Sequence, residues 1–264
     1  MGEMQILRMS SLPPPEPFAE AVKLWNIRYR SDDCEVEGYV ALPADLREPA
    51  PLVIFNRGGN REFGILRPEA VCRYAANGYA AAGSQYRGNA GGTGQEEFGG
   101  REVEDVLRLA DICLDMDQVR KGGYYMAGHS RGGMMTYLCC TRDSRIRAAA
   151  VGAGLADCVR MYREREDSMK QVFHELVGGS PEEMPEAYAL RSAVCFAEKI
   201  LCPILICQGT DDWRVNPEQA LFMDRQLENC HKEHRLILYP GADHSLKGTT
   251  CLKDTLAWFA AHPL

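Results

Sequence analysis

The chain has 264 residues, 45% of them hydrophobic, and a formal net charge of -7 with acidic and basic residues interspersed. That length and apolar content support a sizeable buried core, and the mixed, net acidic charge offers no basic face to neutralise phosphates, which argues against nucleic-acid binding. No window approaches about 18 uninterrupted apolar residues. Met1-Gly2-Glu3-Met4 lacks the basic and apolar pattern of a secretory leader, so a cytoplasmic protein with no membrane partner is expected.

The first predicted element is an extended arm over 1–20. Its end, Pro13-Pro14-Pro15-Glu16-Pro17, has neither the amides nor the dihedral freedom for helix or ladder. Val22 to Arg30 and Glu35 to Leu42 then have β character and are separated by turn-prone Ser31-Asp32-Asp33, which predicts an antiparallel hairpin. From Pro51 short apolar runs alternate with amphipathic, helix-length segments, the pattern of βα units around a mostly parallel sheet. Strands are predicted at Leu52 to Phe55, Tyr79 to Ser84, Tyr124 to Ala127, Ile146 to Val151, Ile204 to Cys207 and Arg235 to Tyr239. Helices are predicted near Pro68 to Asn77, Arg101 to Met116, Gly132 to Thr141, Pro217 to Asn229 and Thr249 to Ala261. Between Val151 and Ile204 the rhythm breaks for about fifty residues, too long for a plain connection. Helical spacing in Asp157 to Leu176 and near Pro185 to Glu198 predicts a helical lid over about 155–200. The expectation is therefore an α/β protein, one domain over 1–264, with eight strands of which the first two are antiparallel. The 11 cysteines show no repeated C-x-x-C framework with histidines at zinc spacing, and read as reduced, mostly buried thiols.

The strongest chemical signal is Gly128-His129-Ser130-Arg131-Gly132-Gly133, directly after the strand ending at Ala127 and directly before a helix. A serine hydroxyl is a poor nucleophile at neutral pH, and a sharp strand-to-helix turn presents it to a base. Glycines flank it because side chains there would collide with the neighbouring strand and helix. The turn also puts the Arg131 amide at a helix N-terminus, where it can donate to an oxyanion. This motif, the strand count and the helical insertion together point to an α/β-hydrolase fold, in which serine, acid and histidine follow in that chain order. Ile204 to Cys207 leads into Gln208-Gly209-Thr210-Asp211-Asp212-Trp213-Arg214-Val215, with two adjacent carboxylates of which only one can face the histidine. Asp212 is favoured over Asp211. The base candidate is His244, in Gly241-Ala242-Asp243-His244-Ser245 just after the last strand. His129, His174, His231, His234 and His262 read as surface or packing residues. A second oxyanion donor is expected from Asn56-Arg57-Gly58-Gly59-Asn60, with the Gly59 amide preferred and Gly58 as the alternative.

From Pro51 to Leu264 these residues resemble the catalytic domain of the prolyl oligopeptidase family of serine hydrolases. The resemblance rests on Arg57-Gly58-Gly59, on Tyr86-Arg87-Gly88-Asn89-Ala90-Gly91-Gly92-Thr93-Gly94, and on Glu104-Asp105. It extends through the elbow to Gly209-Thr210-Asp211-Asp212-Trp213-Arg214-Val215 and Gly241-Ala242-Asp243-His244. It implies that Asp212, in the family's Asp-x-x-Val element, is the acid and His244 the base. Arg87 reads as a loop anchor binding backbone carbonyls and a carboxylate. Glu96 and Glu97 read as a solvated loop ahead of an ammonium-binding role. Peptidases of the family usually carry a large N-terminal propeller, whereas only about fifty residues precede the core here. Where several members place an oxyanion-hole tyrosine, this chain has Arg57, and Arg131 replaces the frequent tyrosine after the nucleophile. These departures leave room for a carboxylesterase.

The leading expectation is a hydrolase forming an acyl-enzyme at Ser130 on peptide, amide or ester bonds of a small-molecule or short-peptide substrate. Met161, Tyr162, Met169 and Phe173 read as packing residues ahead of pocket lining. The alternative of another class is a catalytically silent binding protein on the same fold. A cysteine-nucleophile hydrolase is disfavoured because position 130 is serine. No metal or organic cofactor is implied, and a homodimer stays open.

Overall fold

The computed structural model describes residues 6–264. The leader reading of Met1-Gly2-Glu3-Met4 lies outside the described residues. Two compact units make up the chain: one runs to Glu96 and includes Arg101–Met126, the other comprises Glu97–Gly100 and Ala127–Pro263.

The first unit holds β1 (Ile6–Leu12), β2 (Val22–Ser31), β3 (Cys34–Pro43), β4 (Leu52–Asn56), α1 (Glu69–Ala75), β5 (Ala80–Ser84) and α2 (Glu102–Asp115). Within it β1, β2 and β3 form an antiparallel meander, β3 pairs antiparallel with β5, and β5 pairs parallel with β4. The expected hairpin is β2 and β3, joined across Ser31↔Cys34. The expected arm is a correction: within it Ile6–Leu12 form β1, which pairs with β2 from Ile6↔Tyr29 to Leu12↔Leu24. The described residues therefore contain nine strands and not eight. In β1 exposed and half-buried positions alternate with none fully buried, as suits an edge strand. Tyr29, fully buried, donates to the Asp105 carbonyl at 2.9 Å and accepts from the Ser84 hydroxyl at 2.8 Å, tying β2, β5 and α2 together.

β6 (Tyr124–His129) begins in the first unit and ends in the second. The second unit continues with α3 (Arg131–Cys140), β7 (Ile146–Gly152), α4 (Cys158–Glu164), α5 (Asp167–Val177) and α6 (Pro185–Ala189). After two short 3-10 turns come β8 (Ile204–Gly209), α7 (Glu218–Asn229), β9 (His234–Tyr239) and α8 (Cys251–Ala261). β7, β8 and β9 pair in parallel in that order. β8 is buried along its whole length, and its Ile-Leu-Ile-Cys run is what a strand covered on both faces requires. α3 and α8 pack on β7, and α7 packs on β8 and β9.

The long insertion is helical, as expected, but the first predicted helix is two. α4 ends where Arg165 turns extended, with its guanidinium donating to the Arg214 carbonyl at 2.9 Å and to Glu166. Asp157 caps α4 by accepting from the Arg160 amide at 3.0 Å. Buried Gln219 of α7 accepts from the Ala156 and Asp157 amides at 3.0 and 2.7 Å and donates to the Asp157 carbonyl, pinning the start of the segment. Phe173 is fully buried against Phe98 and Tyr188, at ring-centroid distances of 4.8 and 5.6 Å, and Met161 is buried too. Among the described residues no helix is long and apolar enough to cross a membrane.

Candidate active site

Ser130 sits between the end of β6 and the first turn of α3 with φ 60° and ψ -126°, a left-handed conformation that a non-glycine residue adopts only under constraint. The constraint is visible on both sides. The Ser130 amide donates to the Gly152 carbonyl at 2.9 Å, and the Ser130 carbonyl accepts from the Gly133 and Leu155 amides at 2.8 and 3.3 Å. A Cβ on Gly128 would lie 2.1 Å from the Gly132 carbonyl oxygen and 2.3 Å from Thr136 Oγ1. One on Gly133 would lie 2.7 Å from Gly154 Cα. The glycines at 128 and 133 thus let α3 start directly under the serine.

Asp212 and His244 meet. His244 Nδ1 is 2.8 Å from Asp212 Oδ2, with the carboxylate side chain fully buried and the imidazole 16% exposed. Oδ2 also accepts from Gln208 Nε2 at 3.0 Å, and Oδ1 accepts from the Arg214 and Val215 amides at 2.9 and 3.0 Å. Burial pushes the Asp212 carboxyl up, but the hydrogen bonds from His244, the Val215 amide and Gln208 outweigh it and hold the group below its ordinary value. With Asp212 ionised, Nδ1 carries the imidazole proton and Nε2 the lone pair that a base needs. Asp211 is exposed and accepts from the Thr210 hydroxyl at 3.0 Å instead. Adjacent residues leaving β8 point apart, as the geometry of a chain leaving a strand requires.

The elbow and the histidine loop converge. The His129 and His244 rings lie 5.0 Å apart, and a Cβ on Gly152 would touch both His129 Nδ1 and Leu246 of the histidine loop, at 3.2 and 3.4 Å. Ser130 and His244 are both half-buried. The Arg131 amide belongs to the first residue of α3, and the Arg131 guanidinium stacks over the Phe98 ring at 4.6 Å. Gly59 lies in the other compact unit, in the loop after β4, with φ 67° and a Cβ position 2.1 Å from the Phe63 carbonyl oxygen, so only glycine fits there. Asn60 and Phe63 close that turn with reciprocal backbone bonds of 2.9 Å.

Arg57 turns inward. Buried, it donates to the carbonyls of Gln85, Gly58, Gly64 and Arg61 at 3.1 to 3.4 Å and stacks on Tyr86. Glu96 is a correction to the solvated-loop reading: it is buried and accepts from the Arg61 amide and Asn89 Nδ2, both at 2.8 Å. Arg87 anchors its loop as expected, but on carboxylates: Asp105 at 2.7 Å and Asp32 at 2.9 Å. Three of the other histidines have partners of their own: His174 with Tyr162, His234 with Lys232 and Asp224, and His262 with Trp258 and Glu233. Sequence reasoning missed Gln208, the second side chain on the acid; it lies second from the end of β8, four residues before Asp212, and nothing in its identity marks the contact. Among the described residues no group of three or more His, Cys, Asp or Glu side chains could hold a metal ion.

The fold and its chemistry define a serine hydrolase of the α/β-hydrolase class. A family model described as the prolyl oligopeptidase family matches residues 70–262. The chain is 31% identical over 233 residues to the uncharacterized peptidase YtmA of Bacillus subtilis (strain 168), covering 87% of this chain and 89% of the relative. The chain belongs to the prolyl oligopeptidase family. Among solved structures it resembles a puromycin-hydrolyzing peptidase of Mycobacterium tuberculosis, with TM-score 0.78 and 22% identity over 94% of this chain but 40% of that one. It also resembles an acetyl xylan esterase from Paenibacillus sp. R4, with TM-score 0.76 and 16% identity over 99% of this chain and 89% of that one.

Proposed function

We propose that Ser130, His244 and Asp212 form a catalytic triad that hydrolyses peptide, amide or ester bonds of small substrates through an acyl-enzyme. The observation that carries this reading is the buried Asp212 carboxylate holding His244 Nδ1 at 2.8 Å, on a loop that packs against the strained Ser130 elbow. His244 Nε2 takes the Ser130 hydroxyl proton as Oγ attacks the substrate carbonyl, and returns that proton to the leaving amine or alcohol. Water, deprotonated by the same nitrogen, then releases the acid and regenerates the hydroxyl. The developing oxyanion is assigned to the Arg131 amide at the start of α3, a donor of the kind worth about 100-fold to 1000-fold in kcat.

A fluorophosphonate probe tests the assignment. Labelling at Ser130 is expected to be stoichiometric and to vanish in Ser130→Ala and His244→Ala; a folded protein that fails to label sinks the triad and favours the silent binding protein.

A carboxylesterase without peptidase activity is a second reading with its own support. Arg57 stands where several family members put a tyrosine hydroxyl, and its guanidinium is committed to three carbonyls of its own loop and to that of Gln85 after β5. The chain also matches an esterase over nearly the whole length of both. Turnover of p-nitrophenyl esters against matched aminoacyl anilides separates the two: a peptidase cleaves both, an esterase only the first.

A further inference from the structure

The segment Glu97–Gly100 counts with the second unit although the chain on either side of it belongs to the first. Within it Phe98 takes φ 53°, a left-handed conformation that a bulky residue adopts only where its surroundings impose it, and its ring is buried. The surroundings are two. One is α3: the Arg131 guanidinium stacks on the Phe98 ring at 4.6 Å, and a Cβ on Gly99 would lie 2.5 Å from Met134 Cε and 3.3 Å from Leu138 Cδ1. Arg131, Met134 and Leu138 are spaced i, i+3, i+7 and so share one face of that helix.

The other is the helical insertion. Arg191, just past α6, donates from Nη2 to the Glu97 carbonyl and from Nε to the Phe98 carbonyl, both at 3.0 Å, and from Nη1 to the Ala187 carbonyl at 2.8 Å. A planar guanidinium fork suits two successive carbonyls in this way. Phe173 of α5 meets the Phe98 ring at a centroid distance of 4.8 Å. Cys158, the first residue of α4, reaches the same face of α3, with Sγ 3.5 Å from Met134 Sδ and 3.3 Å from the Arg191 carbonyl oxygen.

We propose that Phe98 and Arg191 are positioning residues: they clamp α3 to the helical insertion and so hold the Arg131 amide, the oxyanion donor at the start of that helix, in its working place. The inference rests on the proposed triad. A packed interior transmits displacement, so a shift along the Arg131, Met134 and Leu138 face is carried to the first amide of the helix. An oxyanion donor has to be held within about 0.5 Å of its productive position, which makes small shifts costly to the rate. On another side of α3 the contact is backbone, where Gly133 lies against Gly154. The side chains around Phe98 are therefore the adjustable part of the grip. Acting through α3 and not on the substrate, both residues govern the chemical step and leave ground-state affinity alone.

Phe98→Ala and Arg191→Met are compared with the unsubstituted chain on p-nitrophenyl acetate, with rates counted per site titrated by the fluorophosphonate probe. In each variant kcat per titrated site is expected to fall at least about threefold, with KM changed less than about twofold. A residue that only stabilises the fold lowers the titratable fraction and the melting temperature and leaves that kcat alone, a result that overturns the proposal. A KM that rises while kcat holds also overturns it, because the side chain then lines a pocket. Should Phe98→Ala fold poorly, Phe98→Leu keeps most of the apolar volume and the same comparison decides. Hydrogen exchange reads the clamp without using activity: peptides covering 131–140 are expected to exchange at least about threefold faster in both variants, while those covering 204–209 hold their rate. Unchanged exchange over 131–140 overturns the clamp. Failure of the folded, unsubstituted chain to label strikes the triad and the positioning role with it, and it is told apart from failure of the clamp because it precedes any substitution.

Discussion

Both oxygens of Asp212 are occupied by donors, and this makes its substitution informative. Oδ1 holds the Arg214 and Val215 amides, and Oδ2 holds His244 Nδ1 and Gln208 Nε2. In Asp212→Asn the single amide oxygen best satisfies the two backbone amides, which turns the NH2 toward His244 and Gln208, two donors. The imidazole must then put its lone pair on Nδ1 and its proton on Nε2, the wrong tautomer for a base. Activity on any ester substrate is expected to fall about 10^4-fold, and the facing buried donors together with the lost carboxylate are expected to lower stability near neutral pH as well, measured as kcat/KM beside a thermal melt. Gln208→Leu removes one donor and keeps the pair, so a loss nearer tenfold is expected, with the same assay deciding. Removal of both carboxylate contacts by Asp212→Ala would not separate these effects. A strand end sends adjacent side chains apart, which says that only one of Asp211 and Asp212 can face the histidine, and the choice of Asp212 rested on the Asp-x-x-Val resemblance; the Gln208 contact was not legible, because nothing in a glutamine's identity says which group it will meet.

Elements carry the site through close backbone approach and buried charge. α3 starts beneath Ser130 because Gly133 lies against Gly154, where an added Cβ would sit 2.7 Å from both Gly154 Cα and Val151 Cγ1. Backbone cannot yield as a side-chain tip can, so Gly133→Ala is expected to cost about 1–3 kcal/mol in urea unfolding and to slow probe labelling of Ser130. On the other unit, Arg87 binds Asp105 with both side chains wholly buried. Arg87→Met leaves that carboxylate without its cation, and a loss of about 3–5 kcal/mol is expected, partly restored in Arg87→Met with Asp105→Asn. The elbow, the βα alternation and most helix limits could be read from the chain, because apolar runs, glycines and Pro-led helix starts state them locally. β1 could not: its seven residues mix Arg, Met and Ser, bury no position fully, and precede a proline cluster that reads as an arm. The break after Glu164 was equally silent, since no Gly or Pro marks it and the cause is Arg165 reaching the distant Arg214 carbonyl. Both failures lie where a tertiary contact, and not a local preference, decides the conformation.

At the scale of the whole chain the carboxylates set the pH range of stability. Glu166 is lowered to about 2 by its hydrogen bonds from Arg165, and Asp212 lies below its ordinary value for the reasons given above. Asp254 is pushed up by burial but held lower by the Thr250 and Tyr239 hydroxyls, and Asp243 is lowered by its bonds from Ser245. In each case the folded chain binds its proton less readily than the unfolded chain. Between the folded and unfolded values the unfolded state therefore carries more protons, so stability is present above the ordinary carboxylate range and drains away as pH falls through it toward the folded values. Asp105 works in the opposite direction, because burial pushes it up against the pull of Arg87, and it offsets part of the loss. Glu166 is mostly solvent-exposed, so screening trims its share, and the buried Asp212 should dominate. Urea midpoints are accordingly expected to hold between about pH 7 and 5 and to drop between about pH 4 and 2.5. Asp212→Asn should flatten that drop, because a neutral amide has no proton to take up. An equally steep fall in the variant would mean that the buried acid contributes nothing to the linkage and that surface carboxylates carry all of it.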